Sequence, residues 1–151
     1  MGKKKVIKKS QEELLKERES IESKIQKQEM KISKGSQIRE AKLFVYSSYN
    51  NTILTLTDLG GNVLAWASAG KIGFKGTKKG TPYAANRVAE VMAQIIQKMK
   101  LENIHIKAKG IGGGRESAIR TLVAKGVDLS SIEDITPVPH NGCRPPKPRR
   151  L

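Results

Sequence analysis

KLFVYSSYNNTILTLTDLGGNVLAWASA, residues 42–69, decides the fold. Residues 42–49 are rich in β-branched and aromatic side chains and read as a strand. Asn50–Asn51 is turn chemistry, because a short amide side chain hydrogen-bonds its own backbone and tolerates a left-handed conformation. Residues 52–58 (TILTLTD) alternate with a period of two and read as the returning strand. Leu59–Gly60–Gly61–Asn62 is a second turn, and residues 63–69 (VLAWASA) form a third strand. Three such runs joined by short turns predict an antiparallel meander.

Downstream, GKIGFKGTKKG (residues 70–80) holds four glycines and four lysines and no acid. Thr81 and Pro82 then supply an N-cap and a proline at the first helical position. Ala84, Val88, Val91, Met92, Ile95 and Met99 follow with a helical period. NIHIKAK (103–109) alternates again, with Ile104, Ile106 and Ala108 on one side and His105, Lys107 and Lys109 on the other. GIGGG (110–114) leads into a second helix, from about Arg115 to Lys125, which Gly126 stops. Residues 131–136 make a last short strand. The order β-β-β-α-β-α-β predicts an α/β fold, a single domain with a mixed sheet in which crossover units follow the meander. The ribonuclease H-like group shares this order, a likeness of element order alone.

Upstream, residues 10–33 predict a mostly solvated helix. Ser10 and Glu13 form a capping-box pattern, and Glu12 and Lys16 an i,i+4 pair. The apolar stripe of Leu14, Ile21, Ile25 and Ile32 is thin, interrupted by Gln11, Arg18 and Gln28. Lys34–Gly35–Ser36 reads as a hinge. The chain thus divides into a basic N-terminal extension (1–40), an α/β domain (41–137) and an extended basic Pro/Arg-rich C-terminal tail (138–151). Five of the six prolines lie in the last fifteen residues, and such a tail lacks the periodicity to pack a core.

Composition narrows the partner. The 151 residues carry 29 Lys and Arg against 14 Asp and Glu, a net charge of +15. The excess is spread: 12 basic and 7 acidic residues in 1–40, 10 and 3 in 41–110, and 7 and 4 in 111–151. Self-repulsion of this size calls for a polyanion, and nucleic acid is the commonest. Hydrophobic residues, at 37%, suffice for one modest core. The single cysteine, Cys143, forms no internal disulfide and, with two histidines, no multi-cysteine zinc site; it reads as a packing residue rather than a nucleophile. No run approaches the roughly 20 apolar residues of a membrane span. The basic start MGKKKVIKKS lacks the apolar stretch of a secretory signal, Val6 stands where myristoylation wants Ser or Thr, and seven acids in the first forty residues argue against a transit peptide. A soluble protein of a reducing compartment, with neither membrane nor cofactor, is expected.

Two segments are candidates for contact with a polyanion. In 70–80, glycines let backbone approach a phosphate and Lys71, Lys75, Lys78 and Lys79 neutralise it. In GIGGGRES (110–117), a helix N-terminus offers unpaired N–H groups beside Arg115. Arg–Glu after the last glycine breaks the Walker pattern, and G-x-G-x-x-G spacing is not met from Gly110, so a polynucleotide phosphate fits better than a mononucleotide. A tight strand–helix turn is the purely structural alternative. A metal-dependent nuclease needs converging carboxylates, but the first strand has none, and Asp58, Glu90, Glu133 and Asp134 are scattered. Of six aromatics most are expected in the core. Phe74, between Gly73 and Lys75, is the candidate for stacking on a base. His105 reads as a solvent-face strand residue.

YNNTILTLTDLGGNVLAWASAG, GFKGTKKGTPYAA, KGIGGGRESAIRTL and above all DITPVPHNGCRPPKPRR resemble the small-subunit ribosomal protein S11 family over roughly residues 41–151, and the HNGCRPP form is similar to its bacterial and organellar branch. The resemblance implies a structural, non-catalytic protein of the subunit platform. It would bind small-subunit ribosomal RNA near the messenger RNA exit region, beside proteins S7 and S18, without forming a homo-oligomer. It also implies RNA contacts at Lys71, Phe74, Lys75, Lys78 and Lys79, at Arg115 and Ser117, and at His140, Asn141, Arg144, Lys147, Arg149 and Arg150. Two departures stand out. Ile111 and Gly113 occupy positions where the family commonly has proline, and the N-terminal extension is longer and more charged than the family's usual arm. The remaining rivals are a ribonuclease H-like enzyme and a general basic DNA-binding protein.

Overall fold

The computed structural model describes residues 39–144 together with Glu19, Pro146 and Lys147. Apart from Glu19, the helix expected over 10–33 and the hinge after it lie outside the described residues, as do Arg149 and Arg150.

Five strands form one mixed sheet: β1 (Glu40–Ser47), β2 (Thr52–Thr57), β3 (Val63–Ser68), β4 (Asn103–Lys109) and β5 (Leu129–Asp134). Their spatial order is β3-β2-β1-β4-β5. The meander pairs antiparallel, Val45 opposite Leu54 and Leu54 opposite Ala67. Beyond β1 the pairing turns parallel, Leu43 opposite Ile106 and Ile106 opposite Ile132. Parallel neighbours need a crossover, and helices α2 (Pro82–Met99) and α3 (Gly114–Ala124) supply them. The fold expected from the hydrophobic pattern is therefore the fold observed. The first strand starts two residues earlier than its pattern suggested, and the last spans 129–134 rather than 131–136. Among the described residues, no helix is long and apolar enough to cross a membrane.

One face of the sheet carries the core. Ala41, Leu43 and Val45 of β1, Leu54 and Leu56 of β2, Ala67 of β3, and Ile104 and Ile106 of β4 are fully buried. They pack against α2, which buries Val88, Val91, Met92, Ile95 and Ile96, and against Ala118 and Leu122 of α3. Thr81 caps α2: its Oγ1 accepts from the Ala84 N–H at 3.2 Å, satisfying a donor that the helix cannot. The helix ends at Lys100, whose φ of 54° is left-handed. Gly126, at φ 73°, turns the chain out of α3, its N–H reaching the Val123 carbonyl at 3.0 Å.

The other face takes the alternate positions of each strand. The register sets Phe44 opposite Thr55 and Thr55 opposite Trp66, with Lys107 beside Phe44 on the other flank. One row further along lie Ile53, Tyr46 and Lys109. This corrects the expectation that most aromatics are core. Tyr46 is 44% and Trp66 48% exposed, Tyr49 and Tyr83 are exposed at loop and helix start, and Phe44 is half-buried. Strand β1 is apolar on both faces, so the inward set (Leu43, Val45) displaces the aromatic one outward. His105 lies on this face, as expected, with Nδ1 2.8 Å from the Ser131 hydroxyl.

Candidate nucleic-acid interface

Strand direction decides what meets. Strands β1, β3, β4 and β5 all run toward one end of the sheet, and β2 starts there. The lysine-rich segment after β3, the glycine turn after β4 and the tail after β5 consequently leave from the same end. Helices α2 and α3 also begin there, so their N–H-bearing termini add partial positive charge. In open α/β sheets this C-terminal edge of the parallel strands is where ligands bind.

The lysine-rich segment is a folded shelf rather than an open loop. A short helix, α1 (Ala69–Ile72), is capped by Ser68 Oγ, which accepts from the Lys71 N–H at 3.2 Å, and a 3-10 turn runs from Gly76 to Gly80. Ile72 and Phe74 plug the shelf into the core. Phe74 is only 8% exposed, its ring edge-to-face with Tyr83 at 6.0 Å. That corrects its assignment as a stacking residue: core burial withholds the ring faces from a base. Lys71, Lys75 and Lys78 are exposed, and Lys79 is half-buried. Lys71 Nζ donates to the Trp66 carbonyl at 2.9 Å and sits 3.9 Å from the centre of the Trp66 ring. No acid lies between Ala69 and Thr81.

The glycines of the turn answer first to packing. A Cβ on Gly110 would overlap the Ser47 carbonyl oxygen, one on Gly112 the Ser48 carbonyl, and one on Gly114 the Thr52 hydroxyl; Gly80 sits likewise against the Tyr49 carbonyl. Both segments are thus pressed onto the β1–β2 connection. The Gly112 N–H donates to the Ser47 carbonyl at 3.0 Å, and beneath it the buried Ser47 and Thr52 hydroxyls lie 3.3 Å apart. The structural alternative for these glycines is therefore real, and it also holds the turn in register with the lysine shelf. Gly113 differs: a Cβ there meets nothing within 4 Å, and its φ of −62° and ψ of −11° suit proline. Gly113→Pro is expected to stabilise the protein by about 0.4–1 kcal/mol through the unfolded state, read as a higher urea midpoint at unchanged slope.

Arg115 closes the turn from inside. Its Nη1 donates to Asp134 Oδ2 at 2.7 Å and to the Gly110 carbonyl at 3.3 Å. Asp134 Oδ1 accepts from the Thr136 hydroxyl at 2.6 Å and from the Thr136 N–H at 2.9 Å, and the Gly110 N–H donates to Thr136 Oγ1 at 3.1 Å. The clamp ties the glycine turn to the root of the tail and lines a cavity with Ile111, Gly112 and Glu116. The Thr136 hydroxyl and N–H, helped by Arg115, hold the Asp134 carboxyl below its ordinary pKa. A carboxyl lowered on folding contributes its stability above the unfolded value of about 3.9 and loses it as pH falls through the folded one. The thermal midpoint of Asp134→Asn should accordingly fall below that of the unaltered chain near neutral pH, and the difference should start to shrink as pH falls below about 4 and close only once the folded carboxyl is itself protonated.

The other nominated residues divide. Ser117 Oγ turns back to the Gly113 carbonyl at 3.3 Å and is half-buried in α3. His140, Asn141, Arg144 and Lys147 are exposed on the irregular tail, Asn141 with a left-handed φ of 50°. Cys143 is exposed, which corrects its reading as a packing residue; the described residues of the tail around it are exposed as well. Sequence reasoning missed Tyr49, 75% exposed at the tip of the β1–β2 connection between the two segments. Its place beside Asn50–Asn51 was the available signal. Four further carboxylates are partnered around the body: Asp58 accepts from Asn62, Glu90 pairs with Arg87 and Lys125, Glu133 with Lys107, and Glu116 with Arg120.

An α/β body that gathers lysines, two helix N-termini and the root of a basic tail at one sheet end has the layout of a polyanion-binding surface. Comparison with known proteins gives the family. The model of the family described as Ribosomal protein S11 matches residues 41–150. The chain is 52% identical over 114 residues to the small ribosomal subunit protein uS11 of Azoarcus sp. (strain BH72), covering 76% of this chain and 88% of that one. It is 53% identical over 114 residues to the protein of the same name from Treponema pallidum (strain Nichols), covering 76% and 90%. The chain belongs to the ribosomal protein S11 family.

Proposed function

We propose that this chain is a structural constituent of the small ribosomal subunit, binding that subunit's RNA through the sheet end just described. The family is a structural, non-enzymatic one. The observation that carries the reading is the convergence of the lysine shelf, the glycine turn and the tail root at one end. Its mechanism is neutralisation of backbone phosphates by Lys71, Lys75, Lys78 and Lys79 and by the tail cations Arg144, Lys147, Arg149 and Arg150, with His140 and Asn141 reaching RNA alongside them. The clamp makes Arg115 a residue that positions turn and tail, with Ser117 holding the start of α3. Specificity comes from RNA shape and unpaired bases, because the A-form major groove is too narrow to read. The finer placement follows the family resemblance: the platform near the messenger exit, beside S7 and S18, in a bacterial cytoplasm or an organelle. We assign residues 41–137 as the binding domain, 138–151 as an RNA-ordered tail and 1–40 as an added extension.

Sedimentation of the tagged chain from lysate, in moderate salt, tests the reading. Co-migration with small subunits and whole ribosomes in near-stoichiometric amount is expected; protein left at the top of the gradient would refute it. Deleting residues 138–151 should leave the circular dichroism of the domain intact while reducing its share in subunits. Unfolding of the truncated chain would show instead that the tail belongs to the core.

A further inference from the structure

The shelf and tail leave half of the sheet unexplained. Helices α2 and α3 cover one face; the opposite face presents Phe44, Tyr46, Ile53 and Trp66 across β1, β2 and β3, with Lys107 and Lys109 alongside on β4. We propose that this face is a second RNA-binding surface, a stacking platform for unpaired bases, separate from the sheet end above. The inference rests on the RNA-binding reading and adds a different mode of contact to it.

The arrangement separates two chemistries. The aromatic side chains are planar and stand on the pleated face, 44% exposed at Tyr46 and 48% at Trp66. The lysine column stands one strand away, about 4.8 Å, on the side of β1 away from Trp66. A single-stranded segment laid across the strands would set a base on Tyr46 while its phosphates pass Lys107 and Lys109, with Trp66, whose ring carries the Lys71 ammonium at 3.9 Å, bordering the platform. Sheet platforms that stack bases on exposed aromatics and take the backbone on flanking cations are an established mode of single-strand recognition. Charge favours RNA over an apolar protein partner. Lys109 is exposed, Lys107 is matched by Glu133 at 3.1 Å, and Lys71, which belongs to the shelf, marks the border between the two surfaces by holding its ammonium over the Trp66 ring. An apolar partner would have to desolvate Lys109 beside the rings without neutralising it.

Stacking and phosphate neutralisation respond differently to salt, so they can be told apart. Tyr46→Ala should weaken binding to a small-subunit RNA fragment roughly 10-fold or more and leave the slope of log affinity against log salt unchanged, with Tyr46→Phe restoring binding. An unchanged affinity for Tyr46→Ala would overturn the platform. The decisive experiment places a photoreactive phenylalanine analogue at Tyr46, and separately at Trp66, in the full chain assembled into small subunits. Adducts to ribosomal RNA are expected. Adducts only to protein, whether a neighbour or this chain's own extension, or no adduct from subunit-bound chain, would overturn the inference. If the unaltered chain fails to enter subunits, the proposed function itself fails, a separate and visible outcome.

Discussion

Replacing Lys71, Lys75, Lys78 and Lys79 together with Gln should weaken binding to small-subunit RNA by roughly 10²–10³-fold near physiological salt. Each lysine that neutralises a phosphate releases about one counterion, so losing four should flatten the salt slope by about three to four. The unaltered chain, making about six to ten phosphate contacts, should lose about 10³–10⁵ in affinity between 50 and 200 mM salt. The variant should still fold. The shelf is anchored by Ile72, Phe74 and the Ser68 and Thr81 caps, none of which is changed. Filter binding across a salt series, with circular dichroism of the variant, checks both halves. An unaltered slope would mean that the shelf lysines face no phosphate.

Gly110→Val is expected to have the largest effect on stability, on the order of 3–5 kcal/mol. Two independent penalties act at the same residue. Its φ of 103° lies where a β-branched side chain is strained. Its new Cβ would also drive into the Ser47 carbonyl, which is main chain at the end of the central strand and cannot swing aside. A loss of this size is a large fraction of a typical domain's 5–15 kcal/mol. Urea unfolding should show a markedly lower midpoint, and the variant should be depleted from subunits through instability. Gly113→Val, three residues along the same turn, faces open space and should cost far less. Equal costs at the two positions would contradict the packing role given to Gly110.

How far the sequence revealed this depends on which physical signal each residue carries. Strand and helix periods were plain in TILTLT and in the Val88–Ile95 stripe, and with the crossover rule they led to the mixed sheet. The lysine shelf and the tail stood out by charge alone. Phe74 did not declare itself: a lone aromatic among glycines and lysines looks exposed until Ile72 and the Ser68 cap fold the segment inward. The outward face of β1 was equally hidden, because KLFVYS is apolar at both parities and period two cannot then say which set is core. The clamp joins Arg115 to Asp134, 19 residues on, and Gly110 to Thr136, 26 residues on, and the parallel β4–β5 pairing brings them together. The same applies to Gly80, Gly110 and Gly112, which read as phosphate cradles and are also packing contacts with residues 47–50.

The most direct test of the binding end is lysine reactivity in the assembled particle. Acylation of intact small subunits, followed by mass spectrometry of this chain, compares the two ends of one sheet. Lys75 and Lys78 on the shelf should be protected relative to the isolated protein. Lys100 and Lys125, exposed at the opposite end where α2 and α3 finish, should react about as fast in both states. Protection at Lys100 and Lys125 with Lys75 and Lys78 still reactive would contradict the assignment and place the RNA at the other end of the fold.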